Sequence, residues 1–223
     1  YYCYPYYFGG TVISIKGFRS YKFKNELGLE MERSFFLHLC ATKKKILFLG
    51  GIKYKSATYY ETNQAAYKVQ EMPEWYERSF AMFWLPFLEE MKRKYGQVPV
   101  FIQYHLMFTI KNHILATYNG KCPQGITEEM EQKCIAQIRK AIKYVNADVL
   151  FNCHNLKETE VPNTIKWYYG RLKQGKKFHF DKKYMAGVPY YGSSDTIFQK
   201  ITSLKTKITA IRYENGCLVI DGM

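Results

Sequence analysis

Two short apolar runs, each closed by a histidine, constrain this chain more than anything else in it. Ala147-Asp148-Val149-Leu150-Phe151-Asn152 stops at Cys153-His154-Asn155, and Val98-Pro99-Val100-Phe101-Ile102-Gln103 stops at Tyr104-His105. An apolar run of strand length that gives way abruptly to polar residues is how an α/β sheet presents side chains at the carboxyl ends of its strands. An amphipathic stretch precedes each run, so the order helix, strand, loop, helix, strand predicts the crossover that a parallel sheet requires. Two parallel strands ending in this way would bring His105 and His154 to one site.

The helical stretches carry their own punctuation. Pro73-Glu74 predicts a helix start, because proline lacks an amide that the first turn cannot use and an acid there suits the dipole. Trp75, Phe80, Phe83, Trp84, Phe87, Leu88 and Met91 trace one apolar face, Pro86 should kink or restart the helix, and Lys92-Arg93-Lys94 closes the last turn before Gly96. Thr127 followed by Glu128 and Glu129 predicts a second start, with Met130, Cys134, Ile135, Ile138, Ala141, Ile142 and Val145 recurring at helical spacing. Residues 26–39 suggest a short helix. Strands are predicted at 1–15 around Gly9-Gly10, at 45–50, at 164–169 and at 188–191, with a basic loop between the last two. The chain closes in a hairpin across Asn215-Gly216.

With 223 residues the chain is long enough for one domain with a sizeable core, and we read residues 1–223 as a single domain. Apolar residues make up 47% but no run approaches the length of a membrane span, which predicts a soluble protein. The first residue is Tyr1, with no basic-then-apolar leader, which leads us to expect a preceding piece. The formal net charge of +14 suits nucleic acid, acidic protein surfaces or phosphorylated ligands, although dispersed lysines also describe an ordinary solvated surface. Cys3, Cys40, Cys122, Cys134, Cys153 and Cys217 form no Cys-x-x-Cys pair, so a zinc ribbon has no support, and reduced intracellular thiols are the expectation.

Three segments together resemble the calcineurin-like metallophosphoesterases, in particular the branch related to purple acid phosphatases. Tyr1 to Ile15 is similar to the aromatic hairpin that follows the family's Gly-Asn-His motif. Phe83 to Glu90, continued through Pro99 to Phe108, is similar to the family's "WL…L…PVIVFxHHPLF". Ala147 to Leu156 is similar to "VDLVFSGHxH". The resemblance covers about half of the chain by eye. It implies an α/β fold, a metallophosphoesterase-like β-sandwich with flanking helices whose N-terminal part lies outside the sequence, with strands at 45–50, 98–103 and 148–152 near its centre. It also implies a pair of Fe, Zn or Mn ions activating a bridging hydroxide. The motifs are degenerate: Tyr104 stands where the first histidine of "HHPLF" would be a ligand, Cys153 replaces the glycine of "GHxH", and Leu156 replaces its second histidine.

His154 is the one residue that matches a family metal ligand, and its alternative is a histidine hydrogen-bonded at a strand end. His105 enters a ligand or catalytic role only if the strand register slips by one residue. Cys153 reads as a reactive thiol or, more simply, as a buried structural cysteine. His38, His113 and His179 have no motif around them. The loop Gly187 to Asp195 could cradle an anion through its amides or be an ordinary turn. Tyr54, Tyr59, Tyr60, Tyr67, Trp75 and Tyr76, interleaved with Lys53, Lys55 and Lys68, could stack on bases or simply pack. The expectation is therefore a degenerate, non-catalytic relative acting as a basic structural or interaction subunit of a larger assembly, with protein partners and no resident cofactor. A metal-dependent phosphoester hydrolase completed by an N-terminal piece and an RNA-associated basic protein are the alternatives.

Overall fold

The computed structural model describes residues 16, 19, 21–43, 72–118, 125–152, 163–175, 178–179, 181–193, 196–200, 208–214 and 216–222. The strands expected at 1–15 and 45–50 and the tyrosine–lysine stretch at 53–68 lie outside these residues, as do Cys153 and His154. The chain divides into two compact units, residues 1–175 and 176–223.

Every regular element described in the first unit is a helix. A 3₁₀ segment, Asn25–Glu30, leads into α1, Met31–Lys43. It contains Gly28 at φ 52°, a left-handed kink that a side chain would strain. Helix α2, Pro73–Arg78, has Pro73 in its first turn, as its sequence predicts. A π-helical segment, Ser79–Trp84, follows, and then α3, Leu85–Tyr95. Pro86 accounts for this break: a ring without an amide cannot continue the ordinary ladder, and the turn before it widens so that the Leu85 amide donates to the carbonyl of Phe80. The predicted apolar face is the buried face, with Phe80, Trp84 and Leu88 each 0% exposed.

Residues 98–103 are not a strand. They open α4, Val100–Tyr118, a 19-residue helix. The amides of Ile102 and Gln103 both donate to the carbonyl of Pro99, which starts the helix. Length explains the difference. The apolar run does not stop at Tyr104-His105 but continues through Leu106, Met107 and Ile110, all buried, past the span of an ordinary strand. A helix so rich in buried apolar side chains packs into a core.

Helix α5, Glu128–Ala141, starts as predicted, with the Thr127 hydroxyl oxygen accepting the Met130 amide at 3.2 Å. A 3₁₀ turn, Ile142–Tyr144, ends it. The expected strand at 148–152 is also helical: α6, Ala147–Asn152, opens with the Leu150 amide donating to the Asn146 carbonyl, and Asp148 lies in its first turn. The segment expected as a strand at 164–169 is α7, Asn163–Gln174. Its β-favouring residues Ile165, Trp167, Tyr168 and Tyr169 lose to periodicity, because Ile165, Tyr169 and Leu172 are buried while Trp167 is 47% exposed. In a strand Ile165 and Trp167 would share a face.

Polar bonds tie these helices together. The Arg33 guanidinium of α1 donates to Thr109 of α4 at 3.4 Å, and the Tyr95 hydroxyl of α3 donates to the Ala41 carbonyl of α1 at 2.9 Å. Buried Gln103 donates to the Val98 carbonyl at 2.8 Å and accepts the Asn146 amide at 2.7 Å, fastening the start of α4 to the turn before α6.

The second unit holds two antiparallel sheets. Strands β1, Asp181–Met185, β2, Val188–Ser193, and β3, Thr196–Lys200, form the first in that order. Asp181 to Lys183, expected in a basic loop, belong to β1 and pair with Gly192 to Tyr190 of β2. Gly192-Ser193, expected in a cradling loop, is the bulged end of β2, while Ser194 and Asp195 lie outside the described residues. Strands β4, Ile208–Glu214, and β5, Cys217–Gly222, form the second sheet. Glu214 pairs with Cys217 and Gly216 has φ 78°, the closing hairpin that Asn215-Gly216 predicts. Among the described residues helix and sheet thus fall in separate units, and the parallel arrangement expected to join His105 with His154 is not formed by residues 98–103 and 148–152.

Candidate functional site

His105 lies in the middle of α4, 3% exposed, and not at a strand end. Burial, reinforced by the positive charge of Arg33, lowers its pKa to about 3, so the ring is neutral at physiological pH. A neutral imidazole inside a core fits a packing role better than acid–base work. His154 lies outside the described residues, so nothing here brings the two predicted site histidines together. Among the described residues no group of three or more His, Cys, Asp or Glu side chains could hold a metal ion.

Residues without a motif assemble a polar seam around α4 instead. Glu30 is 4% exposed; one carboxylate oxygen accepts the Ser79 hydroxyl at 2.5 Å and the other accepts the Arg33 guanidinium at 2.7 Å. Ser79 opens the π-helical segment, so the widened turn that Pro86 imposes lies beside a buried carboxylate. His113, a turn beyond Thr109, stacks on the Trp75 indole with ring centroids 3.4 Å apart. Its Nδ1 faces the Thr109 carbonyl at 2.9 Å and its Nε2 faces the Trp75 carbonyl at 3.4 Å. A neutral ring carries one N–H and can donate to only one of them. Burial outweighs both carbonyls and lowers the His113 pKa to about 4. Glu30 and Ser79 reach a cavity of about 400 Å³ in which Glu26, Glu30 and Glu74 outnumber Arg78, so anions do not belong there.

His38 packs within the core as well, its Nδ1–H donating to the Ser34 carbonyl at 2.7 Å and its Nε2 lying 3.2 Å from Glu90. His179 is exposed. Cys40 and Cys134 are buried, and burial pushes each thiol up to about 12, far from the thiolate that nucleophilic or redox chemistry needs.

Among the described residues, basic side chains converge on an open groove of about 460 Å³. Leu85, Glu89 and Lys92 of α3 line one side; Lys140 of α5, with Lys143 and Tyr144 of the following turn, lines the other. All three lysines are exposed, and Lys92 Nζ stands 5.8 Å from the centre of the Tyr144 ring. Three ammonium groups face one carboxylate. Arg93, Lys94 and Arg139 are exposed on the same two helices. Each basic cluster alone is what a helix C-terminus attracts, since α3 and α5 both carry cations in the last turn. Their meeting across one groove is a tertiary fact that no spacing within either segment reveals. The chain matches no family model, no curated protein and no solved structure in these comparisons.

Proposed function

We propose that this chain is a basic, non-catalytic interaction subunit of a larger assembly that engages an acidic partner through the groove between α3 and α5. The observation that carries the reading is the convergence of Lys92, Lys140 and Lys143 on that groove, in a chain whose net charge is +14. Such a surface attracts anions over about a Debye length, roughly 10 Å at 0.1 M salt, and loses its hold as salt rises. The helical path of residues 100–118 and 147–152 departs from the strands that the resemblance implies, so the proposed role rests on the groove and not on that family's scaffold.

Two measurements on the intact protein test the reading. On immobilised heparin it should be retained at low salt and released steeply as salt rises; passage without retention would remove the basic-interaction role. After incubation with Fe, Zn or Mn it should not hydrolyse p-nitrophenyl phosphate. Two bound metal equivalents together with hydrolysis that disappears in His154→Ala would establish the hydrolase instead.

A further inference from the structure

We infer that the groove between α3 and α5 binds a single-stranded polynucleotide, its phosphates on Lys92, Lys140 and Lys143 and one base on the ring of Tyr144. The inference rests on the reading above and names the acidic partner. A wall of lysines alone would suit any polyanion, but here an aromatic ring stands among the ammonium groups: Tyr144 lines the same groove, with Lys92 Nζ 5.8 Å from its centre. Cationic tracking of a backbone combined with a stacking ring is how proteins hold single strands without reading their sequence. A carboxylate-rich peptide would engage the charges but has no flat group to stack on the ring.

The groove's form argues for a chain over a free nucleotide. It is open to solvent, whereas a small-molecule site encloses most of its ligand. Its cations, Lys92, Lys140 and Lys143, also exceed what one phosphate needs. The 3₁₀ turn Ile142–Tyr144 is what sets Lys143 and Tyr144 beside the groove: Ile142 is fully buried and anchors the turn, while Lys143 is exposed.

The test is fluorescence anisotropy of a labelled 12-nucleotide oligouridylate with the intact chain, across a range of salt concentrations. Affinity should fall log-linearly with salt, by about 0.7 log units per log unit of salt for each phosphate neutralised. Replacing the three lysines together (Lys92→Gln, Lys140→Gln, Lys143→Gln) should make that slope shallower by about 2. Tyr144→Ala should weaken binding about tenfold at an unchanged slope, and Tyr144→Phe should restore it. The lysines are exposed, so the triple variant keeps its fold, which circular dichroism checks. Equal affinity for polyglutamate of the same length would overturn the inference while leaving the basic-interaction reading intact. Full competition by uridine monophosphate at the same phosphate concentration would overturn it in favour of a free nucleotide. A slope unchanged in the triple variant would remove the groove, and loss of all polyanion binding by the parent protein would end both readings.

Discussion

Helix α4 of the first unit and the β4–β5 ribbon of the second use the same kinds of side chain to opposite effect. Both contain isoleucine, leucine and tyrosine. In α4, Ile102, Leu106 and Ile110 are all 0% exposed. In the ribbon, Ile211, Tyr213 and Leu218 are 61%, 74% and 64% exposed. Tyr213 pairs directly with Leu218 across the two strands, so these apolar side chains share a face of a two-stranded sheet. A ribbon of two strands has no second layer of its own, which makes it marginal in isolation. Composition alone therefore says little about where the stability lies. The number of surrounding layers decides it.

Substitutions can break this contrast. Leu106→Ala should destabilise the first unit by about 2–5 kcal/mol, since the surrounding helices cannot collapse fully into the space; urea unfolding followed by circular dichroism measures it. Leu218→Ala in the ribbon should stay within about 0.5 kcal/mol in the same experiment, and equal losses at the two sites would show the contrast to be false. Close behind Leu106, Arg33→Ala should cost about 3 kcal/mol, because it strands the buried Glu30 carboxylate with only the Ser79 hydroxyl. The estimate sits at the low end of that range because Arg33 is itself 27% exposed.

A pH series sharpens the same comparison. His105 and His113 have folded pKa values of about 3 and about 4, both below the ordinary 6.5. Between those values and 6.5 the unfolded chain binds protons that the folded one refuses, so stability is full above pH 6.5 and declines as pH falls toward 4. Each histidine contributes at most about 1.4 kcal/mol per pH unit. Thermal melts of the first unit's helical signal should therefore drop from pH 7 to pH 5. His113→Phe, which keeps the stack on Trp75 without a titrating proton, should flatten that drop by about half.

Smaller effects sit at element ends. Thr127→Ala should cost about 1 kcal/mol by leaving the Met130 amide uncapped, readable as a lower urea midpoint. At the β1–β2 turn, Ala186 has φ 48° beside Gly187 at φ 77°, a pair of left-handed positions in which alanine is the strained member. Ala186→Asn should stabilise that hairpin by roughly 0.5 kcal/mol, seen as slower amide exchange in β1 and β2.

Local signals were legible wherever they depended on one or two residues. Pro73, Pro86 and Thr127 punctuate helices in the sequence as they do in the structure, because each acts through its own ring or hydroxyl on the adjacent backbone. Asn215-Gly216 points to its hairpin for the same reason. The segments at 98–103, 148–152 and 164–169 were misread because an apolar run of five or six residues satisfies a buried helix as well as a buried strand. The arbitrating information lay farther along the chain, in the continuation to Ile110 and in the i, i+4, i+7 set of Ile165, Tyr169 and Leu172. The histidine pairing failed with the strands that were meant to deliver it. His105 was placed at an end only by stopping the run at Tyr104.

By itself the sequence determined the chain's positive charge, the starts of two helices, the break at Pro86 and the turn at Asn215-Gly216, all consequences of side-chain chemistry acting within a few residues. Only the tertiary structure decided that α4 is a core helix, that Glu30 meets Ser79, and that lysines separated by some fifty positions, Lys92 and Lys143, face one groove. The physical reason is that burial and charge convergence depend on which elements become neighbours. That choice is made by the packing free energy of the whole unit, and no window of the sequence contains it.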